Sequence, residues 1–323
     1  MNRASALGQS PAESATAGGE FARDLRRGFA ARPRSISPKW FYDDEGSRLF
    51  DRICDLPEYY PTRTEMGILR AHAGDMARLV GPRAEIVEFG AGSCDKVRVL
   101  LDALDAPQRF RPIDISAGHL AQAAAALRRD YPGLDVQPLA ADYTRRLLLP
   151  APEAGVRRVG FFPGSTLGNF SPAEALRFLR SAAQVLRGGG LLLGVDLIKD
   201  PAVLHAAYND TQGVTAAFNL NLLARANREA GCDFDLDAFA HSAFYNAPQQ
   251  RIEMHLVSRR RQDLQVCGQP HRMEEGETLH TENSRKFTVD SLRRLAQQAG
   301  LQPGPVWLDK HHWFSVHWLG APA

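Results

Sequence analysis

"AEIVEFGAGSCDKVRVLLDAL", residues 84–104, decides the fold. Its opening is short and mostly apolar, as in a strand buried inside a sheet, and "KVRVLLDAL" resumes with helical periodicity. Between them Gly90 and Gly92 let the backbone turn sharply and approach a ligand that larger side chains would block.

The same alternation continues outward. "RFRPIDIS" (109–116) reads as a second strand ending in an acid, followed by the alanine-rich helix "GHLAQAAAALRRDY" (118–131), and "DVQPLAADY" (135–143) reads as a third strand ending in an acid. "RVGFFPGSTLGNF" (158–170) gives a fourth strand and loop. "SPAEALRFLRSAAQVL" (171–186) is a helix with a Ser-Pro start and Glu174 at its third position, and "GGGLLLGVDLI" (188–198) is a fifth strand. Strands alternating with helices at this spacing imply a parallel sheet covered on both faces. The C-terminus adds a helix, "TVDSLRRLAQQAG" (288–300), and two strands, "GPVWLDK" and "WFSVHWLG". A terminal helix and antiparallel pair added to five parallel strands resembles the class I methyltransferase sheet.

Residues 201–286 interrupt that pattern. They hold a helical stretch, "AYNDTQGVTAAFNLNLLARANREAG", and one or two strands in "RIEMHLVSRRRQDLQV", with Arg259–Arg261 expected at a solvated hairpin end. The expected organisation is a disordered tail over 1–19, a discontinuous substrate-binding domain over 20–61 and 201–286, and a cofactor domain over 62–200 and 287–323. A ligand site is expected near the carboxyl ends of the parallel strands.

Composition excludes several function classes. The 323 residues carry 39 basic and 37 acidic side chains, a net charge of +2 that gives no reason to expect a nucleic-acid partner. No stretch approaches the length of a membrane span, and the first twenty residues lack the basic start and apolar run of a signal peptide. The four cysteines, 54, 94, 232 and 267, never form C-x-x-C, so neither a zinc knuckle nor a disulfide framework is suggested and a reducing cytoplasm fits. His311-His312 has no third ligand at a usual spacing, so no metal is expected. No coiled coil or extended exposed apolar stripe argues for an oligomer, and a monomer is expected.

The glycine loop also narrows the cofactor. A nicotinamide fingerprint prefers a third glycine at position 95, where this chain has Asp95, whose charge would face bound phosphates. S-adenosylmethionine has no phosphates and tolerates acids in the loop. Glu88 would support its amino-acid moiety or the loop, and Lys96 would pair with a carboxylate. Asp114, some twenty residues beyond the glycines, is placed to accept from ribose hydroxyls. Asp142 suits the adenine amino group, with Tyr143 beside it. Each aspartate taken singly also fits a helix N-cap.

Six blocks carry a resemblance: "PKWFYDDEGSRLFDRICDLPEYYPTRTE" (38–65), "EFGAGSCDK", "FFPGSTLGNF", "AYNDTQGVTAAFN", "IEMHL" and "TENSRKF" (281–287). Through them the chain resembles, over nearly its full length, the histidine-specific methyltransferases. The resemblance implies a class I methyltransferase domain with a second substrate domain, and S-adenosylmethionine-dependent methylation of an amino-acid α-amine three times, leaving a betaine. The best-known member of that family serves ergothioneine biosynthesis.

By position, the resemblance implies Tyr59 near a substrate imidazole, Tyr42 as a hydroxyl close to the amine, and Asn169 and Tyr208 on the substrate carboxylate. It implies the backbone of Gly164 beside the α-amine, Phe50 as an aromatic wall, and Met254, Glu282 and Ser284 as the imidazole-recognising set. Singly, Tyr59 and Tyr208 also fit interfacial core positions, Asn169 a helix cap and Met254 ordinary core. Cys94 and Asn283 depart from the family pattern. Family members acting on tryptophan derivatives or other amino acids, and a non-catalytic S-adenosylmethionine-binding regulator, are the alternatives.

Overall fold

The computed structural model describes residues 11–145 and 147–323, with the side chains of the first helix from Gly19 onward. The tail expected over 1–19 lies outside the described residues for 1–10, and the first helix spans Pro11–Ala30. The chain divides into two compact units. One comprises Met1–Gly46, Ala216–Ser242 and Met254–Glu282, and the other Ser47–Thr215, Ala243–Glu253 and Asn283–Ala323. Residues 47–61, 201–215, 243–253 and 283–286, expected in the substrate-binding domain, therefore group with the sheet-bearing unit.

That larger unit is built on one mixed sheet. Its strands run in the order Gln302–Leu308, Phe314–Gly320, Gly190–Asp196, Arg158–Phe162, Glu85–Phe89, Arg109–Asp114, Asp135–Val136, with Leu139–Ala140 also beside Arg109–Asp114. The strands from Gly190–Asp196 onward are parallel, and Phe314–Gly320 joins them antiparallel on one side. This is the class I methyltransferase α/β sheet.

Parallel strands covered on both faces have no polar side, so successive residues enter opposite cores. Ile86, Phe161 and Leu192 pack with the helices Tyr60–Val80, Asp95–Leu101 and Ala117–Asp130, while Val87, Phe162 and Leu191 pack with Pro172–Val185 and Val289–Gln298. The Ser171–Glu174 capping box closes as its sequence predicts: the Glu174 N–H donates to Ser171 Oγ at 3.3 Å and the Ser171 N–H to Glu174 Oε2 at 2.9 Å. "DVQPLAADY" forms two dipeptide strands where a single strand is expected, because Pro138 has no N–H to give the ladder. "AYNDTQGVTAAFN" likewise breaks into two helices, Pro201–Tyr208 and Val214–Ala230. The Asp210 carboxylate accepts from the N–H groups of Val214 (2.9 Å) and Thr215 (2.8 Å), starting a new helix.

The smaller unit is held by aromatic packing. Phe21 meets Trp40 and Phe41 stacks on Phe218 at centroid distances of 4.8 and 4.5 Å. A second sheet is ordered Arg34–Ser35, Thr278–Arg285, Arg251–Ser258, Phe239–Asn246. Arg34, 1 % exposed, reaches Glu277 at 2.8 Å and the carbonyl of Phe29 at 2.8 Å, so its buried charge is paired. A separate hairpin pairs Gln262–Val266 with Gln269–Met273. Arg259–Arg261 are exposed, as expected, but join strands of two different sheets rather than ending a hairpin. Among the described residues no helix is long and apolar enough to cross a membrane.

Candidate active site

The glycine loop is fastened by the second strand. Gly90 and Gly92 have φ of +69° and +51°, the left-handed region that glycine enters without penalty. Asp114 Oδ2 accepts from the Gly92 N–H at 3.0 Å and Oδ1 from the Ser116 N–H at 2.9 Å. Each oxygen keeps a further lone pair for a ligand hydroxyl. Asp142 closes its own turn on the Thr144 N–H at 3.0 Å. Tyr143 joins the Phe89, Phe162 and Phe178 rings, and its hydroxyl lies 3.3 Å from where a Cβ on Gly90 would sit.

Glu88, at the end of the first strand, is 1 % exposed, and its Oε2 is buried without a hydrogen-bond partner. Burial, foremost, holds its carboxyl well above the usual range, and Asp114 and Glu65 add to the effect while Lys96 opposes it. A buried acceptor with no partner beside a glycine turn suits a ligand bearing hydroxyl or ammonium donors.

Sequence reasoning missed Glu65. This fully buried carboxylate accepts from the Gly164 N–H on both oxygens (3.0 and 2.9 Å) and from Lys96 Nζ at 2.6 Å. Burial pulls the Lys96 pKa down, but the attraction of Glu65 outweighs it and the net shift is upward. Lys96 therefore has a protein carboxylate as its partner. Gly164 has φ +79°, and a Cβ there would lie 3.4 Å from Lys96 Nζ, so the turn and the ion pair fix one another.

Three of the expected substrate aromatics come together in the sheet-bearing unit. The Tyr59 ring stands edge-on to Phe50 and to Tyr208, each at a centroid distance of 6.4 Å. Tyr208 Oη donates to Ser284 Oγ at 2.6 Å. Lys286, wholly buried, donates to Ser284 Oγ (2.7 Å), Tyr208 Oη (3.0 Å) and Asp196 Oδ2 (2.7 Å). Asp196 also receives Tyr60 Oη at 2.6 Å and Lys199 Nζ at 2.5 Å.

Hydrogen counting then assigns roles. An ammonium has three donors, and Lys286 has three acceptors. Ser284 Oγ thus accepts from both Tyr208 and Lys286, which fixes the position of its hydroxyl. Burial alone would raise the Asp196 pKa, yet the two lysines hold it below the usual carboxylate range. Burial lowers Lys199 to about 8 against the pull of Asp196. The signal for Asp196 was present, an acid ending the strand "GLLLGVD"; Lys286 lay in the basic pair of "TENSRKF" without a visible partner.

Asn169 ends the 3-10 turn Thr166–Asn169. Its neighbour Gly168 packs so closely that a Cβ would lie 2.8 Å from the Arg285 carbonyl oxygen, which sets this turn against the Ser284–Lys286 segment.

In the smaller unit, Tyr42 packs edge-on to Phe218 at 5.9 Å. Met254 is buried, and its carbonyl accepts from Thr281 Oγ1 at 3.0 Å. Glu282 is 9 % exposed, two residues along one strand from His280, whose ring stacks on His255 at 4.7 Å. Cys94 is buried with φ +60°, and Asn283 Oδ1 is buried without a partner.

Residues 21–321 match the family of histidine-specific, SAM-dependent methyltransferases. The chain belongs to that family. It is 45 % identical over 293 residues to the histidine N-alpha-methyltransferase of Mycolicibacterium smegmatis, covering 89 % of this chain and 90 % of that one. It is 43 % identical to the protein of the same name from Mycobacterium tuberculosis, over 89 % of this chain and 91 % of that one. Ergothioneine biosynthesis protein 1 of Neurospora crassa is 31 % identical over 85 % of this chain and 32 % of its own length. The family is SAM-dependent, and the acceptors Asp114 and Glu88 beside the Gly90–Gly92 turn suit a ligand bearing hydroxyl and ammonium donors.

Proposed function

We propose that this protein binds S-adenosylmethionine and methylates the α-amine of L-histidine three times, giving the betaine hercynine, the first step of ergothioneine biosynthesis, as a cytoplasmic monomer. The likeness to the two mycobacterial histidine N-alpha-methyltransferases over nine-tenths of the chain supports the substrate and the reaction. The likeness to the Neurospora protein supports the pathway. The observation that carries the reading is the Lys286–Tyr208–Ser284 cluster, which fixes the Ser284 hydroxyl two residues along the chain from Glu282.

Bound S-adenosylmethionine supplies an electrophilic methyl group on a sulfonium. Asp114 and Glu88 would accept from its hydroxyl and ammonium donors, and Gly90 and Gly92 would let it approach the backbone. Asp142, beside Tyr143, would accept from the adenine amino group.

The substrate amine must be neutral to attack. A free α-amine has a reference pKa of about 7.7 to 8.0, so deprotonation is a real step. Phe50 and Tyr59 provide apolar walls that favour the neutral amine, and Tyr42 relays its proton to water. Gly164, held by Glu65, borders the amine without a side chain. Each methylation removes an N–H donor and adds bulk, so affinity rests on the other two ends of the amino acid. Asn169 donates to the carboxylate, with Tyr208 beside it. Glu282 accepts from one imidazole nitrogen and Ser284 donates to the other, while Met254 limits the size of the ring.

This arrangement selects neutral histidine in one tautomer. Phenylalanine or leucine would offer Glu282 no N–H in place of the imidazole's, losing a hydrogen bond to a charged group worth roughly 1.5 to 3 kcal/mol. A panel of histidine, tryptophan and tyrosine with purified protein tests the assignment, and preference for tryptophan or tyrosine would overturn it. Calorimetry showing cofactor binding without turnover of any amino acid would favour a regulator.

A further inference from the structure

Two of the four free cysteines touch, although 35 positions separate them. Cys232 follows Gly231 at the end of the helix Val214–Ala230, and Cys267 occupies the two-residue turn between Gln262–Val266 and Gln269–Met273. Their sulfurs lie 3.8 Å apart, and both residues are half-buried.

The surrounding backbone holds the two segments in register. The Asp233 N–H donates to the Gln265 carbonyl at 3.3 Å, and the Gln265 N–H donates to Asp233 Oδ1 at 2.7 Å. Arg26 Nη1 reaches the Cys267 carbonyl at 3.4 Å. The turn has φ of +51° at Cys267 and +78° at Gly268, the pairing of a type I′ hairpin, which fixes the direction of the Cys267 side chain. A disulfide needs its sulfurs at about 2.05 Å, so forming the bond draws the two sulfurs closer than their present contact.

We propose that Cys232 and Cys267 are a modification site that forms an internal disulfide by exchange with a low-molecular-weight disulfide such as oxidised glutathione. Cys267 thiolate attacks one sulfur of the small disulfide, giving a mixed disulfide and releasing one thiolate. Cys232 then loses its proton to solvent, its thiolate attacks the Cys267 sulfur of the mixed disulfide, and the second thiolate leaves. The small disulfide is reduced to two thiols and the protein loses two hydrogens. Burial, foremost, raises the Cys232 thiol pKa, which favours Cys267 as the first nucleophile and Cys232 as the resolving partner.

The full-length protein, incubated with oxidised glutathione and measured by intact mass and peptide mapping, tests this. The expected product has lost two hydrogens, carries no glutathione, yields a single peptide linking positions 232 and 267, and melts at a higher temperature than the reduced protein. Cys232→Ser is expected to retain one glutathione on Cys267. A wild-type protein that keeps stable glutathione adducts on both cysteines, or links other cysteines or other molecules, would overturn the proposal. The readout is independent of methyl transfer, so its failure leaves the functional reading untouched.

Discussion

Tyr208 Oη donates to Ser284 Oγ at 2.6 Å, and Lys286 bonds both oxygens. Two residues implied to hold opposite ends of one amino acid are thus members of a single hydrogen-bonded unit. If Tyr208 and Ser284 hold the ends proposed for them, recognition of the carboxylate and of the imidazole is coupled through this unit. Tyr208→Phe and Ser284→Ala are each expected to raise the histidine KM about tenfold, the effect of roughly one lost hydrogen bond. The double variant should lose less than the product of the two, with a coupling of about 1 kcal/mol; strictly multiplicative effects would separate the two roles.

Glu282 is expected to act on the substrate alone. Glu282→Ala should lower kcat/KM for histidine by about 10- to 100-fold, as for a hydrogen bond to a charged group, while the calorimetric affinity for S-adenosylmethionine stays unchanged. Equal loss of both would make the residue structural.

The Glu65 carboxylate, wholly buried, faces Lys96 at 2.6 Å and the Gly164 N–H. Glu65→Ala strands that lysine and that N–H together, and urea unfolding should show a loss of about 3 to 5 kcal/mol. A loss below about 1 kcal/mol would mean that the pair is dispensable.

Acid should weaken the fold through His317, which is 1 % exposed and bonded to Ser315 Oγ at 2.8 Å. Burial, reinforced by Arg293, lowers its pKa to about 4 from the ordinary 6.5. Between these values the unfolded chain binds the extra proton, so the stability held above pH 6.5 is lost as pH falls towards 4, by on the order of 3 kcal/mol. His317→Gln should flatten that part of the stability profile, and an unchanged slope would place the acid sensitivity elsewhere.

Much of the fold was legible because strand, glycine turn and helix repeat locally. The Ser171–Glu174 box and the alternation of Ile86 and Val87 between two cores follow from spacing alone. The breaks at Pro138 and Asp210 were missed where a single residue overrides a periodic stretch. Position within the matching blocks gave candidate residues such as Tyr59 and Ser284, without showing which protein groups they bond. Glu65, Asp196 and Lys286 could not be assigned, because their meaning lies in partners 99, 90 and 78 positions away (Gly164, Lys286 and Tyr208), and no pattern in the sequence pairs them.

Mass spectrometry of histidine incubated with the enzyme and S-adenosylmethionine is the most direct measurement. The account predicts successive addition of one, two and three methyl groups, all on the α-nitrogen, with the trimethylated betaine as the end product. Histidine recovered unmethylated, or methylated on its ring, while another amino acid is consumed, would contradict it.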